Sequence, residues 1–325
     1  DVTVGKRHRA EINNAFQQGR AAAAASECRC FHRGATRHDK LVLRSWVSLY
    51  SARGAIAQSP RNKVVRNMEA VILCGGLGTR LREETEFRPK PMVNIGDRPI
   101  LWHIMKRYAA YGVRRFILCL GYKGDVIRDY FLNYRHRHAD FSVRLASGDI
   151  IFDRRTELED WEVVLAETGE HTLTGSRIAR VMHHVLGESF FVTYGDGVAD
   201  VDMDALLAYH QKSGKVATLT SVLPPSRFGE ISTRGGAVEF FTEKPQVASG
   251  SINGGFMVFE KAGLAQCLAD NAAIHPNLSL EGQVLSQLAA GGQLAAYDHP
   301  GFWQCMDTFR EMELLTTLYH KGSPP

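Results

Sequence analysis

Arg80, Lys90, Asp196, Lys244 and Asp307 have the types and settings needed to handle phosphate. The run Ala70-Val71-Ile72-Leu73-Cys74 passes directly into Gly75-Gly76-Leu77-Gly78-Thr79-Arg80-Leu81. The apolar part reads as a buried strand. The glycines let backbone N–H groups approach a ligand, and Arg80 implies that the ligand is anionic. Lys90 follows between Pro89 and Pro91. Two cations beside a backbone cradle suit a triphosphate, where charge grows on a departing pyrophosphate. No Gly-Lys-Ser/Thr follows the glycines, and Leu81 stands where a dinucleotide fingerprint needs its third glycine. The competing reading is a tight β-to-α turn with Arg80 in solvent.

Tyr194-Gly195-Asp196-Gly197 places a carboxylate at the end of a second apolar strand. Mg²⁺ prefers one or two carboxylates together with phosphate oxygens and water, and Asp196 fits as one ligand. Asp307 is a candidate for the second, although an Asp before Thr308 and a helix also reads as part of an N-cap. Asp200 and Asp202 have the Asp-x-Asp spacing of a glycosyltransferase metal site, but look more like acids at a helix start. Glu243-Lys244-Pro245 offers a cation for a second phosphate; a solvated turn is the alternative. Asn253, beside Gly254 and Gly255, offers an amide for sugar hydroxyls, or marks a bulge at a strand start. Arg227-Phe228-Gly229 has the same ambiguity. The thirteen histidines show no metal spacing.

The elements that would hold these residues alternate between strands and helices. Strands are predicted over residues 70–74, 115–120, 189–194, 216–223, 230–232, 237–242, 254–259 and 293–297, with more between 141 and 167. Helices are predicted over 99–111, 126–134, 174–186, 204–213, 261–270, 278–290 and 308–320. Prolines exclude helix at 89–91. Apolar strands alternating with helices predict a mainly parallel α/β sheet covered on both faces, with a small accessory β-sheet. Ligands of such sheets gather at the carboxyl ends of strands, which puts Gly75–Gly78 and Gly195–Gly197 on one rim.

The net charge of +4 is unevenly spread. Residues 1–67 carry 13 Lys/Arg against four acids, and the remainder 26 against 31. The basic segment reads as an N-terminal extension, either disordered, transit-like or a non-native start, and residues 68–325 as one catalytic domain. The catalytic part gives no electrostatic reason to expect nucleic acid. No apolar run is long enough to span a membrane. Six scattered cysteines fit a reduced compartment, so a cytoplasmic protein is expected, with organellar targeting by residues 1–67 left open.

From Met68 onward the chain resembles the sugar-1-phosphate nucleotidyltransferases. The resemblance rests on Leu73-Cys74-Gly75-Gly76-Leu77-Gly78-Thr79-Arg80, Arg88-Pro89-Lys90-Pro91-Met92-Val93 and Ile252-Asn253-Gly254-Gly255-Phe256. It narrows to the family's cytidylyl branch through Pro99–Lys106, Tyr194–Asp200 and His299–Gln304. The family implies a Rossmann-like nucleotidyltransferase fold, a Mg²⁺ cofactor and a homo-oligomer. By motif, Leu73, Gly75, Gly76, Gly78, Thr79, Arg80, Lys90 and Gly195 would bind the nucleotide. Thr174 and Arg177 would contact cytosine and ribose. Glu243, Lys244, Asn253 and Gly254 would hold the sugar phosphate, and Asp196 and Asp307 the metal. Arg80, Lys90 and Lys244 would carry the catalysis. Cys74 replaces a usual Ala, Cys305 a Pro before Met306-Asp307, and Ser176 a Gly in the base-contact loop.

The implied reaction joins CTP to glucose 1-phosphate by in-line displacement, giving CDP-glucose and pyrophosphate. Positioning and charge neutralisation carry such a reaction, because the attacking phosphate is already an anion. Uridylyl or thymidylyl transfer to the same sugar phosphate is the first alternative. A metal-dependent glycosyltransferase using Asp200 and Asp202 is the second, and a catalytically inactive homologue the third.

Overall fold

The structure, a computed structural model, describes residues 68–78, 81–153, 155–224, 230–234, 237–242, 250–272 and 277–322. The readings on residues 1–67, Thr79, Arg80, Arg227, Glu243 and Lys244 lie outside the described residues.

Seven strands form the central sheet: β1 (Glu69–Leu73), β2 (Arg115–Leu120), β3 (Glu162–Glu167), β4 (Ser189–Tyr194), β5 (Ala217–Val222), β6 (Ile252–Glu260) and β7 (Leu294–His299). Their spatial order is β7-β5-β6-β4-β1-β2-β3. β6 runs antiparallel to both neighbours, and the other pairings are parallel. From β1 the chain builds outward through β2 and β3, then returns to lay β4 on the other side of β1. That reversal opens a crevice beyond the carboxyl ends of β1 and β4, where ligands of open α/β sheets bind. Leu73 pairs with Tyr194 there, and Gly195 N donates to Leu73 O at 3.0 Å.

Both faces of the central strands are covered, so β1, β2 and β4 read as near-continuous apolar runs rather than alternating. On one face Ala70, Ile72, Phe116, Leu118 and Phe191 pack with Ile104 and Tyr108 of helix α1 (Ile100–Ala110). On the other Val71, Ile117, Phe190, Val192 and Phe259 pack with Ile178 of α3 (Thr174–Val181) and Leu264 of α5 (Lys261–Ala272). Between them in sequence come α2 (Gly124–Leu132) and α4 (Met203–Ser213), and beyond them α6 (Ser286–Ala290) and α7 (Phe309–His320). Each fully buried large apolar side chain contributes about 1.5–3 kcal/mol.

Several local expectations are corrected. Pro89–Pro91 is not wholly extended: Lys90–Met92 forms one 3₁₀ turn, which Pro91 tolerates near its start because no N–H is needed there. The predicted helix over 174–186 stops at Val181 and tightens into a 3₁₀ turn, Met182–His184. That over 278–290 opens as a π-helical turn, Leu280–Leu285, before α6. Among the described residues the accessory β-structure is four two-stranded pieces rather than one sheet. One of them, Gly197–Ala199 with Trp303–Cys305, has no clear signal in the sequence, because three-residue strands carry too little pattern.

Candidate active site

The crevice holds a cleft of roughly 370 Å³ between the glycine loop, Lys90, Pro91, the start of α3, Tyr194–Asp196 and Ser279–Glu281. Lys90 projects into it from the 3₁₀ turn. Its Nζ donates to Asp196 Oδ2 at 2.7 Å and to Asp307 Oδ1. Burial works against the ammonium, but the Asp196 charge and the hydrogen bonds that Nζ donates to both carboxylates outweigh it, so Lys90 titrates above its ordinary value.

Residues this far apart in sequence meet because of the short ladder. Asp196 follows β4, Cys305 pairs with Gly197, and Met306 N donates to Asp196 O at 2.8 Å, which delivers Asp307 to Asp196. The capping ambiguity at Asp307 is resolved. Thr308 is the N-cap of α7, forming a capping box with Glu311, while Asp307 turns its carboxylate to Lys90. Cys305 beside it is pushed up to about 11, mainly by burial, so it stands as a neutral thiol.

The fit to a divalent cation follows from this donor set. Two carboxylates converge where a cationic group already bridges them, and phosphate oxygens and water would complete the shell of a hard cation. No group of three or more His, Cys, Asp or Glu among the described residues could hold a metal. Asp202 instead caps α4, accepting from Ala205 N, and Asp200 lies 2.9 Å from His299 Nε2. Asp202 is thus engaged as a helix cap.

Arg177 lies differently from its expected base contact. It is 4 % exposed and spends its guanidinium on protein atoms. Nη1 donates to Leu120 O, Thr168 Oγ1 and Gly169 O, and Nη2 to Gly75 O and Glu170 O. Burial lowers its pKa. A Cβ on Gly75 would fall 2.2 Å from this guanidinium, so only glycine permits the approach. Arg177 therefore pins the glycine loop to β2 and the start of α3 while forming part of the cleft floor. Ser176, the departure in this loop, accepts from Leu278 N through its hydroxyl.

Thr174 lines the cleft and donates to Glu281 Oε2 at 2.7 Å. Asn253 and Gly254 stand at the start of β6. Asn253 Oδ1 accepts from Gly255 N, and Trp303 Nε1 donates to Gly254 O. Gly255, at φ +80°, lies against the Tyr194 ring. The structure thus gathers Leu73, Gly75, Gly76, Gly78, Lys90, Thr174, Arg177, Gly195 and Asp196 around one cleft, with Asp307 on Lys90. Sequence reasoning missed Tyr194, Ser279 and Glu281 as lining residues. Tyr194 stands in the Tyr194–Gly197 motif, where only the carboxylate drew notice, and Ser279 and Glu281 form a Ser-x-Glu within a predicted helix, a pattern that also serves as capping.

A family model described as nucleotidyl transferase matches residues 69–310. The chain belongs to that nucleotidyl transferase family, and it is an enzyme of that class. Within the class it stands with the glucose-1-phosphate cytidylyltransferases. It is 47 % identical over 259 residues to the glucose-1-phosphate cytidylyltransferase of Salmonella typhimurium, covering 79 % of this chain and 98 % of that one. The protein of that name from Salmonella typhi matches with the same identity and coverage. Among solved structures, HddC from Yersinia pseudotuberculosis shares the fold at a TM-score of 0.54 and 22 % identity, covering 78 % of this chain and 99 % of that one. No helix among the described residues is long and apolar enough to cross a membrane.

Proposed function

We propose that the enzyme transfers the cytidylyl group of CTP to α-D-glucose 1-phosphate, giving CDP-glucose and pyrophosphate. The observation that carries the reading is Lys90, held between Asp196 and Asp307, lining the same cleft as the glycine loop. A phosphate oxygen of glucose 1-phosphate attacks the α-phosphorus of CTP, the new P–O bond forms, and the bond to the β-phosphate oxygen breaks. Lys90 and the backbone donors of the glycine loop meet the charge that develops on the leaving pyrophosphate. Asp196 and Asp307 would hold Mg²⁺, which would supply a Lewis acid on the phosphate oxygens. Arg80 joins the leaving-group side. Lys244, with Glu243, Asn253 and Gly254, holds the sugar phosphate against the repulsion of two anions.

Residues 68–325 form the catalytic domain in this reading. The enzyme is further read as a cytoplasmic homo-oligomer. Buried free thiols at Cys74, Cys119 and Cys267 support the reduced compartment. The test is pyrophosphate release with glucose 1-phosphate and each of the four ribonucleoside triphosphates and dTTP, with and without Mg²⁺. Turnover is expected with CTP and Mg²⁺. Preference for UTP or dTTP would overturn the base assignment, and release of a nucleoside diphosphate would overturn the reaction.

A further inference from the structure

The cleft wall facing the glycine loop carries a carboxylate to which the reaction above gives no task. Glu281 is the second residue of the π-helical turn Leu280–Leu285, a rare geometry that recurs at functional sites. Ser279 caps this turn, accepting from Gly282 N. Glu281 is exposed to the cleft that it lines.

Its two oxygens serve different walls. Oε1 accepts from the Tyr194 hydroxyl at 2.5 Å. Oε2 accepts from Thr174 Oγ1 at 2.7 Å and from Ser279 Oγ at 2.9 Å. The Tyr194 ring lies against Gly255, whose N–H donates to Asn253 Oδ1 at 2.9 Å. Thr174 Oγ1 accepts from Leu280 N at 2.8 Å. Each hydroxyl spends its one proton on Glu281. The carboxylate therefore fixes the donor direction of both.

We propose that Glu281 is a positioning residue that sets the two substrate walls through its two oxygens. Oε1 acts through Tyr194 on the sugar-phosphate wall at Asn253. Oε2 acts through Thr174 on the nucleotide wall at the start of α3. The inference rests on CTP and glucose 1-phosphate sharing this cleft, as read above.

The chemistry of an amide separates the two halves. In Glu281→Gln one oxygen remains and the other becomes an NH₂ group. Thr174 and Ser279 both donate to Oε2 and already accept from Leu280 N and Gly282 N, so the amide oxygen keeps that side. The NH₂ then faces the Tyr194 hydroxyl, which had been donating, and the sugar half is weakened. Tyr194→Phe removes the sugar half alone, and Glu281→Ala removes both.

Steady-state kinetics on the full chain with Mg²⁺ test this. Glu281→Gln and Tyr194→Phe are each expected to raise KM for glucose 1-phosphate about fivefold, the loss of about one hydrogen bond, and to leave KM for CTP within about twofold. Glu281→Ala is expected to raise both. Combining Glu281→Ala with Tyr194→Phe should weaken sugar-phosphate binding no further than Glu281→Ala alone. Calorimetric titration with each substrate reads the same split as dissociation constants, independently of turnover. Equal losses for both substrates in Glu281→Gln and Tyr194→Phe, or activity losses that only track a fall in Tm, would overturn the proposal. An inactive wild type that still shows the split in binding would remove the reaction reading and leave the role of Glu281. An active wild type without the split would remove only the latter.

Discussion

Two cations line the same cleft and behave in opposite ways. Lys90 is held by the carboxylates of Asp196 and Asp307, and they raise its pKa despite its burial. Arg177 is held chiefly by four neutral carbonyls from three segments, and burial lowers its pKa. The ammonium is a compact charge whose carboxylate partners could equally bind a metal ion. The guanidinium is a planar fork that closes carbonyls left open by the loop and strand ends. What surrounds a cation, rather than its charge, decides whether it can meet a ligand or is spent on the architecture.

The largest expected effect falls on Lys90. Lys90→Ala and Asp196→Ala should each lower kcat/KM by about 10²–10³ or more, the cost of losing one electrostatic stabiliser. Circular dichroism and Tm should stay close to the parent. Near-normal turnover in either variant would break the contrast at its catalytic end. Arg177→Ala should act the other way. Orphaned carbonyls beside β1 and β2 should cost about 2–4 kcal/mol of stability, seen as a fall in Tm of several degrees. Arg177→Lys should rescue little, since an ammonium cannot span the same carbonyls.

A glycine pair sharpens the comparison further. Gly75→Ala places its methyl 2.2 Å from the Arg177 guanidinium and should destabilise the protein. Gly76 has nothing within 4 Å of its missing Cβ, so Gly76→Ala should fold normally. If the phosphates rest on that backbone, the new methyl should raise KM for CTP severalfold; unchanged kinetics would move the phosphates elsewhere.

The smallest effect concerns pH. Burial raises the Glu281 pKa, but hydrogen bonds from Tyr194, Thr174 and Ser279 outweigh it, so the net shift is downward. A depressed folded pKa gives stability that is present above the ordinary glutamate value and lost as pH falls through the lower folded one. Melting curves between pH 6 and about pH 3 should show a shallower acid decline for Glu281→Gln than for the parent.

Much of this was readable along the chain. The apolar runs ending in Gly75–Gly78 and Gly195–Gly197 announce buried parallel strands and their ligand rim, because a strand covered on both faces must be apolar throughout. The types at positions 90, 196 and 307 suffice to suggest phosphate and metal chemistry. The partners of Asp307 and Arg177 were not readable. A carboxylate before Thr308 looks like a cap until Thr308 is seen to fill that role with Glu311. An arginine at the start of a helix looks like a ligand contact until its partners prove to be backbone carbonyls.

The sequence by itself determined the alternation of strands and helices, the glycine loop and the family, because these depend on local periodicity and contiguous motifs. Only the tertiary structure decided which charges meet. Lys90 reaches Asp307 through a three-residue ladder, Gly197–Ala199 with Trp303–Cys305, too short to mark itself in the pattern. It also decided that Glu281, within a segment that reads as plain helix, faces Tyr194 and Thr174 across the cleft. Such pairings depend on register and on a π-helical turn, and both are set by packing against distant strands rather than by neighbouring residues.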